Sequence, residues 1–367
     1  MIDTDKKIIL AAGGTGGHLF PAKALATELI RCGYKVDIIT DKRALKLVHD
    51  FDGATIHVVR SATIKGKNPK ALIKTLSSLI LGAWQSYRII RRIKPNVVGG
   101  FGGYPTLPPM VVATSLIGKA MGIKTFIHEQ NAVIGRANKF LSSRVDIIAA
   151  GFLEKTAKFA SKFVETGNPV RKEVLKYSSF LYKLPSERES FNLLVFGGSQ
   201  GASFFSQIMP QALGILDITY RNRLKLVQQS RNDSSELQKQ YEKLSINAHI
   251  APFFVNLAEK IAKAHFIISR SGASTVSEIS IIGRPALLVP YPHAIDNDQE
   301  KNAAYLVSCG AGLIYQQKEL SPELLASIIK DMMDNPKKLL DQAKITKKAG
   351  KPKATQELVK LVEELIK

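Results

Sequence analysis

Cysteine is nearly absent from this chain of 367 residues, which contains only Cys32 and Cys309. Two cysteines so far apart provide neither a disulfide framework nor the ligand spacing of a zinc site, and they are typical of a reducing compartment. Long apolar runs are absent as well, since no uncharged segment reaches the roughly 20 residues of a transmembrane helix. The N-terminus has acidic residues before its first apolar run and no small-residue cleavage site, so we expect no signal peptide. These absences predict a soluble or peripheral protein.

Acidic residues are missing from one long stretch, because neither Asp nor Glu occurs between Asp52 and Glu129. The same stretch carries eleven Lys and Arg residues, and the whole chain has a formal net charge of +21. A field of one sign attracts an anionic partner, which here means nucleic acid, an acidic lipid surface or a phosphorylated substrate. No recognised nucleic-acid-binding motif accompanies the basic stretch, so we predict no nucleic-acid partner.

Two halves of the sequence repeat one pattern. An apolar strand at 7–12 runs into GGTGGH at 13–18 and a helix, and another at 191–196 runs into GGSQGA at 197–202 and a second helix. A strand, a glycine-rich turn, a helix and a further strand in these lengths predict a right-handed crossover between parallel strands. We therefore predict an α/β protein of two doubly wound domains in tandem, since the chain is also too long for one ordinary core.

The join between the domains is predicted near Gly167-Asn168-Pro169, where Gly and Pro interrupt the pattern. The two domains would then be 1–168 and 169–351. The remaining segment, 352–367, has the apolar spacing of an amphipathic helix. Such a helix could pack on either domain, and we group it with the first.

The glycine-rich turns favour an anionic ligand but match neither of two common nucleotide motifs. A dinucleotide fingerprint starting at Gly14 would need glycine where Leu19 stands, although Asp41 follows the second strand as its acid should. Neither turn is followed by the Lys-Ser or Lys-Thr of a P-loop. What remains is a backbone that can approach a bulky anion and direct N–H groups and a helix N-terminus at it.

The residues SRSGASTVSE at 269–278 form a third such turn, which suits a diphosphate. Glu278 in this turn either accepts hydrogen bonds from ribose hydroxyls or faces solvent as an ordinary helical Glu. His18 is the candidate for acid–base chemistry, because its reference pKa lies near neutrality and it ends the first glycine-rich turn. A histidine that only caps this turn is an equally good interpretation.

Residues 65–94 combine basic side chains with a helix that is apolar over more than one face. Several apolar residues follow the spacing of a single packed face, but Ile73, Leu81 and Trp84 lie beyond it. A wide apolar surface ringed by lysines suits an anionic bilayer, whereas core packing would also explain most of these residues. The predicted membrane contacts are Ile73, Leu76, Leu81, Trp84, Lys70 and Lys74.

Seven motifs, in order along nearly the whole chain, resemble those of the bacterial peptidoglycan N-acetylglucosaminyltransferases. They are GGTGGHLFPA at 13–22, FGGYPTLP at 101–108, HEQNAVIGRAN at 128–138, TGNPVR at 166–171, GGSQGA at 197–202, SRSGASTVSE at 269–278 and DQEKNA at 298–303. The resemblance implies the GT-B fold, in which two Rossmann-like domains with doubly wound parallel sheets face a central cleft. It also implies an enzyme that inverts the anomeric centre and uses neither a nucleotide-bound metal nor a cofactor.

Members of this family transfer GlcNAc from UDP-GlcNAc to the 4-hydroxyl of MurNAc in undecaprenyl-diphospho-MurNAc-pentapeptide (lipid I), which gives lipid II for peptidoglycan synthesis. The resemblance therefore implies UDP-GlcNAc, lipid I and an anionic phospholipid surface as partners. Proteins of cell-wall synthesis and division would be further partners. It also implies a peripheral protein at the cytoplasmic face of the bacterial inner membrane.

Carried over by position, the resemblance implies a donor site formed mainly by the C-terminal domain. Its residues would be Arg171, Ser199, Phe254, Ala273, Ser274, Thr275, Val276, Ser277, Glu278 and Gln299, joined by Thr15, Gly16, Gly17 and Asn131. Many relatives have Ile at the position of Phe254, but the implied contact with uracil is through the main chain. The acceptor would meet Gly14, Thr15, Gly16, Gly17 and Tyr104. The base would be His18 or, as second choice, Glu129.

Other enzyme classes stay open beside this one. A UDP-GlcNAc 2-epimerase shares the fold and the donor but would need neither an acceptor nor a basic apolar surface. An NAD-dependent oxidoreductase fits less well because of Leu19, and a glycolipid synthase acting on diacylglycerol is a further relative. Asp296-Asn297-Asp298 matches the acid-x-acid metal motif of another glycosyltransferase fold. Chance matches to so short a pattern are frequent, so no metal site is predicted.

Overall fold

The computed structural model describes residues 5–44, 51, 53–62, 69–186, 189–197, 202–231 and 234–367. The chain forms two compact units. Unit 1 is Met1–Arg171 together with Pro352–Lys367, and unit 2 is Lys172–Lys351. The predicted division into 1–168 and 169–351 lies close to these bounds.

Unit 1 is built on a parallel sheet. Its strands are β1 (Lys7–Ala11), β2 (Lys35–Thr40), β3 (Thr55–Val58), β4 (Val97–Gly100), β5 (Lys124–Glu129), β6 (Ile147–Ala150) and β7 (Phe163–Glu165). Among the described residues the sheet has seven strands, in the order β3-β2-β1-β4-β5-β6-β7. Five of its helices are α1 (Gly16–Arg31), α2 (Pro69–Ile93), α3 (Leu107–Ala113), α4 (Leu116–Ala120) and α5 (Arg136–Leu141).

The central strand β1 shows why the apolar run at its position forms a strand covered on both faces. Ile8 and Leu10 join one buried cluster, which also contains Leu25 of α1. Ile9 points to the other face and joins a cluster that contains Met110 of α3. Because both faces are covered by helices, the strand is apolar at successive positions, as is usual for the middle of a parallel sheet.

Unit 2 repeats this architecture. Its strands are β8 (Phe191–Phe196), β9 (Leu224–Gln229), β10 (Asn247–Ala251), β11 (Phe266–Ser269), β12 (Ala286–Leu288) and β13 (Leu313–Ile314). In the described part of the unit they form a six-stranded parallel sheet in the order β10-β9-β8-β11-β12-β13. The helices are α6 (Lys172–Lys176), α7 (Ala202–Ile215), α8 (Ile218–Arg221), α9 (Ser234–Lys243), α10 (Leu257–Lys263), α11 (Ala273–Ile282), α12 (Asp298–Ser308), α13 (Pro322–Asp334) and α14 (Pro336–Ala349).

The last helix, α15 (Ala354–Ile366), belongs to unit 1. Leu358, Leu361 and Val362 are buried in the cluster that also holds Leu25. At the rim of this contact the Tyr34 hydroxyl donates a hydrogen bond to Glu363 at 3.5 Å. The segment that follows unit 2 in the sequence therefore completes the core of unit 1.

Candidate active site

Each sheet has one point at which the order of its strands reverses. In unit 1 the chain runs from β1 outward to β2 and β3 and then returns to β4, which pairs with the other side of β1. In unit 2 the corresponding neighbours are β8 and β11. Ligands of doubly wound sheets bind outside the carboxyl ends of the strands at such a point. The motifs at 13–18, 101–108, 197–202 and 269–278 follow or end these four strands in the sequence.

The turn after β1 leads directly into α1. Thr15 precedes the helix in an extended conformation, and its side chain makes no capping hydrogen bond. Its carbonyl accepts the N–H groups of His18 and Leu19, both at 3.2 Å. A Cβ atom placed on Gly14 would meet no atom within 4 Å, so this side of the turn is open. The predicted residues Gly14 to Gly17 therefore present backbone N–H groups and a helix N-terminus to an open face.

The turn after β4 packs against the first one. Gly102 and Gly103 have φ values of +87° and +78°. A Cβ atom on Gly102 would lie 3.0 Å from Cδ2 of His18, and one on Gly103 would lie 2.7 Å from the Gly13 carbonyl oxygen. The Thr106 hydroxyl fixes the approach by donating to the carbonyls of Gly102 at 2.6 Å and Ala11 at 3.2 Å. Only glycine fits at these two positions, both for its dihedral angles and for space.

His18 is half-buried in this contact. Burial lowers the pKa of its imidazole below the usual 6.5, and a hydrogen bond with the Gly13 carbonyl opposes that shift in part. Nδ1 lies 3.3 Å from the Thr15 hydroxyl oxygen. The ring is therefore neutral near pH 7, and a neutral imidazole can accept a proton. Tyr104, which starts a 3₁₀ turn at Tyr104–Thr106, is half-buried directly after the same two glycines.

Glu129, at the end of β5, is buried and engaged at both carboxylate oxygens. Oε1 accepts the main-chain N–H of Asn131 at 3.1 Å and its side-chain amide at 3.3 Å. Oε2 accepts the N–H of Gly135 at 2.9 Å and the side-chain amide of Asn138 at 2.8 Å. Burial raises the pKa of this carboxyl, and the hydrogen bonds oppose the rise. The carboxylate thus fixes the loop after β5 and orients Asn131.

His128 and Gln130 extend this polar cluster through the interior. Nε2 of His128 donates to the Gly167 carbonyl at 2.9 Å, and Nδ1 accepts from the side-chain amide of Gln130 at 3.0 Å. Burial lowers the pKa of His128 to about 4, so its ring is neutral. The amide of Gln130 also reaches the carbonyl of Phe101 at 3.1 Å, at the start of the second glycine turn. The sequence places His128, Gln130, Asn138 and Thr106 within two of the family motifs but does not indicate these roles.

In unit 2, α11 begins at Ala273 immediately after Gly272, which cannot provide a side-chain cap. The predicted donor residues form its first turns, with Ser274 and Thr275 half-buried and Ala273, Val276 and Ser277 buried. The Ser277 hydroxyl donates back to the Ala273 carbonyl at 2.8 Å. Glu278 is only 6% exposed, so it is not the solvent-facing helical residue that the sequence left open. The uncapped N-terminus of α11 matches the predicted diphosphate turn.

The other predicted donor residues lie outside α11, on different segments of the chain. Gln299 is in the first turn of α12, and its Oε1 accepts the N–H of Tyr291 at 3.0 Å. The Phe254 side chain is buried beside Lys260, which leaves its main chain for the implied uracil contact. Arg171, at the end of unit 1, places its guanidinium carbon 5.5 Å from the ring centre of Phe20. Ser199 lies outside the described residues.

Comparison with known proteins decides the family. The glycosyltransferase family 28 N-terminal domain matches residues 8–150, and the family 28 C-terminal domain matches residues 192–358. A Brucella canis protein named UDP-N-acetylglucosamine–N-acetylmuramyl-(pentapeptide) pyrophosphoryl-undecaprenol N-acetylglucosamine transferase is 52% identical over 97% of this chain and 93% of its own length. Its namesake from Bartonella tribocorum is 51% identical over 99% of this chain and 95% of its own length.

This chain belongs to glycosyltransferase family 28.

A solved structure agrees with this assignment. The crystal structure of Acinetobacter baumannii MurG is 28% identical and has a TM-score of 0.78, and the match covers 98% of this chain and 99% of that one. The predicted GT-B fold is thereby confirmed. A putative UDP-N-acetylglucosamine 2-epimerase from Listeria monocytogenes is 14% identical, with a TM-score of 0.66 over 98% of this chain and 96% of that one. At that identity the likeness shows a shared fold alone.

Asp41 and Asp298 are the acids that the alternative enzyme classes would use. The Asp41 carboxylate accepts hydrogen bonds from Arg43 at 2.6 Å and from the Ser61 hydroxyl at 3.0 Å, so it holds the loop after β2. An oxidoreductase would need this acid for a ribose hydroxyl. Asp298 is the first residue of α12, where burial raises the pKa of its carboxyl and a hydrogen bond with the main chain of Gln299 opposes the rise. Asp296 precedes this helix with φ of +56°, so the acid-x-acid pattern at 296–298 spans the start of a helix.

The helix α2 exposes the apolar stripe on which the membrane prediction rested. Ile73, Leu76, Ile80 and Trp84 are 68%, 56%, 62% and 53% exposed, whereas Leu81 is half-buried. Lys74 is exposed on the same helix, and the side chain of Lys70 lies outside the described residues. Ile73, Leu76 and Trp84 are among the predicted membrane contacts, and Ile80 is exposed beside them.

The packed face of α2 has small residues up to Ser86 and the buried Ile90 further on. A Cβ atom on Gly82 would lie 2.0 Å from the Arg60 carbonyl oxygen, so the helix packs closely along that line. Thr75 and Ser86 are buried on the same side. No helix in the described parts of the chain combines the length and the apolar character needed to span a membrane.

Proposed function

We propose that this chain transfers GlcNAc from UDP-GlcNAc to the 4-hydroxyl of MurNAc in undecaprenyl-diphospho-MurNAc-pentapeptide, which converts lipid I into lipid II. The relatives that are 52% identical carry this transfer in their names and match nearly the whole chain. One structural observation supports it above the others. Each substrate has a diphosphate, and at the point where each sheet reverses a helix begins without a side-chain cap, α1 in unit 1 and α11 in unit 2.

The donor nucleotide is assigned to unit 2. The N–H groups of the first turn of α11 would hold the diphosphate of UDP, together with Ser199. Glu278 would accept the ribose hydroxyls, and the main chain of Phe254 would pair with uracil. The side-chain amide of Gln299 can donate to a sugar hydroxyl, because its oxygen already accepts from Tyr291. Asn131, which Glu129 orients, would provide a second contact to the GlcNAc hydroxyls.

The acceptor diphosphate is assigned to the open face of the first glycine turn, at Gly14 to Gly17, with Tyr104 beside it. In the reaction the acceptor 4-hydroxyl attacks the anomeric carbon from the face opposite UDP, so the configuration inverts. The bond from that carbon to the diphosphate oxygen breaks, and UDP leaves with the bonding electrons. The N–H groups and dipole at the N-terminus of α11 would stabilise the departing charge, so we expect no need for a cofactor or a nucleotide-bound metal.

His18 is the better of the two candidate bases. Its ring is neutral near pH 7 and lies beside the turn that is assigned to the acceptor. The Glu129 carboxylate, in contrast, is buried and accepts four hydrogen bonds from the loop that it organises. A base must be able to reach the proton that it removes, so geometry favours His18. Glu129 would then act on the reaction by positioning Asn131.

The function itself is tested by UDP release from UDP-GlcNAc, with and without a short-chain lipid I analogue, in EDTA. We expect release that depends on the analogue and survives EDTA, because backbone N–H groups stabilise the leaving group. Turnover without the analogue would favour the epimerase, which shares the fold. Loss of turnover in EDTA, with recovery on adding Mg²⁺, would contradict the metal-free account of leaving-group stabilisation.

The assignment of the base predicts a pH dependence. Because the pKa of His18 is lowered from 6.5, the acid limb of kcat/KM should lie below pH 6.5, where protonation removes the base. We expect His18→Gln to lose this limb and to lower kcat/KM by about 10²–10⁴-fold, the usual range for a general base. His57→Gln is the matched control, since His57 pairs with Asp37 on neighbouring strands away from the turns. An unchanged acid limb in His18→Gln would assign the base to another group.

We further propose that the exposed stripe of α2 docks on an anionic phospholipid surface at the cytoplasmic face of the cell membrane. Four large apolar side chains share this stripe, and the guanidinium of Arg88 lies 5.0 Å from the ring centre of Trp84. Apolar residues beside cations suit the boundary between headgroups and acyl chains. The acceptor lipid would be reached from that surface.

Liposome sedimentation tests the docking surface. We expect the double variant Ile80→Gln/Trp84→Gln to bind phosphatidylglycerol vesicles at least about tenfold more weakly, because two apolar side chains no longer leave water. Binding of the unaltered protein should weaken with salt and be poor on phosphatidylcholine. Ile218→Gln, which removes an exposed apolar residue from unit 2, is the control. Equal binding by the double variant and this control would contradict the proposal.

A further inference from the structure

Arg270, which directly follows β11, is a buried cation without a carboxylate partner among the described residues. The side chain is 5% exposed. Nη1 donates to the carbonyls of Val289 at 3.2 Å and Pro290 at 3.0 Å, and Nη2 donates to Oε1 of Gln317 at 2.6 Å. Its guanidinium carbon lies 5.2–5.5 Å from the ring centres of Phe204, Phe205 and Tyr291.

All these contacts are neutral, so the positive charge is not compensated locally. Burial lowers the pKa of Arg270 to about 10, which still leaves the guanidinium protonated near pH 7. A buried charge without a counter-charge is costly, and most buried arginines in proteins pair with an acid. Nε of Arg270 has no hydrogen-bond partner in the described structure. A free-energy cost of this kind is retained at functional sites more often than elsewhere.

The guanidinium contacts three of the segments to which the donor is assigned. Arg270 itself lies two residues before Gly272, where α11 begins. Phe204 and Phe205 are in the first turn of α7, just after the second glycine-rich turn. Tyr291 binds Gln299 through its main-chain N–H at 3.0 Å. One side chain therefore joins the starts of α7 and α11 to the loop that fixes Gln299.

We infer that Arg270 is a positioning residue for the donor site, which holds these three segments together and whose uncompensated charge attracts the diphosphate of the nucleotide. The inference rests on the proposed function, because it assumes that a nucleoside diphosphate binds at α11. Arg270 acts through the segments and through its field, since its hydrogen bonds are directed at protein carbonyls and an amide. An arriving dianion supplies the counter-charge that the protein lacks.

Arg284 provides a matched comparison within the same unit. It is 2% exposed, its guanidinium carbon lies 5.6 Å from the ring centre of Tyr182, and burial lowers its pKa to about 10. Its donors reach the carbonyls of Ala262, Ile282 and Gly283 at 2.6–3.0 Å. Ile282 ends α11, so the negative end of the helix dipole complements this arginine. Arg284 thus has the same burial but lies at the opposite end of the helix.

The substitution Gln317→Glu tests the charge without removing Arg270. It replaces an amide oxygen 2.6 Å from Nη2 with a carboxylate of the same shape and so neutralises the cation. We expect the affinity of the full-length protein for UDP to fall about tenfold, as loss of one nearby unit charge at intermediate dielectric would give. Affinity for uridine, which lacks phosphate, should change less than about twofold. Thermal stability should stay equal or rise, because a buried cation gains a partner.

Three further variants separate charge from structure. Arg270→Met should lower the affinity for UDP more than that for uridine, and Arg270→Lys should restore part of the difference. Arg284→Met should lower thermal stability but keep the wild-type ratio of the two affinities. If Arg270→Met does not fold, Gln317→Glu and Arg270→Lys decide the matter alone.

Isothermal titration with UDP and with uridine gives clear outcomes. Equal losses for both ligands in Gln317→Glu, or an unchanged affinity for UDP, would overturn the role of Arg270. A wild-type protein that binds UDP no better than uridine would instead contradict the proposed donor site itself. A selective loss for UDP at full thermal stability supports the inference, since a purely structural residue would not discriminate between the ligands.

Discussion

The main chain of Gly103 passes so close to that of Gly13 that a Cβ atom at residue 103 would lie 2.7 Å from the Gly13 carbonyl oxygen. This approach brings the turns after β1 and β4 together at the point where the sheet reverses. His18, the open face at Gly14 and Tyr104 all take their positions from it. The hydroxyl of Thr106 and the amide of Gln130 fix the second turn from its interior side. The chemistry proposed for unit 1 therefore depends on a backbone contact that side chains only support.

In unit 2 the corresponding segments are joined by a buried charged side chain and not by a backbone contact. The segments to which the donor is assigned follow β8, β11 and β12, and the buried guanidinium of Arg270, in the second of these, contacts the other two. Buried polar groups recur in both units, as the cluster of His128, Glu129 and Gln130 also shows. Such groups are costly to bury, and the hydrogen bonds that they make favour one arrangement. In each unit they lie beside the residues to which substrate is assigned.

Much of this organisation could be predicted from the sequence, because strands, glycine-rich turns and helices alternate with spacings that few folds allow. The two units and the GT-B fold followed from that alternation together with the motifs. The orientation of α2 could be predicted only in part, because helical spacing identifies a stripe but not the side that packs. The predicted membrane contacts Ile73, Leu76 and Trp84 are exposed, whereas Leu81 is half-buried. The packed side contains Gly82, whose small size permits close contact, and the buried Ile90, whereas Ile73, Leu76, Ile80 and Trp84 face outward.

The roles of single polar residues could not be predicted from the sequence either. Glu129 looked like a possible base, but its four donors come from positions 131, 135 and 138, which only the folded loop brings together. Asp41 was a candidate ribose ligand, but its carboxylate accepts hydrogen bonds from Arg43 and Ser61. Arg270 lies in a turn of small residues, and no role was predicted for it. Its significance lies in the lack of a nearby acid within the described structure, which no local pattern reveals.

The most direct test of the central claim is the effect of Gly103→Ala on turnover. Gly103 has φ of +78° and ψ of 159°, a conformation that is almost confined to glycine and costs other residues about 1–3 kcal/mol. If the contact between the two turns positions His18, kcat should fall by about 10²-fold or more while the affinity for UDP stays unchanged. An alanine variant that keeps wild-type kcat would show that the chemistry does not depend on this contact.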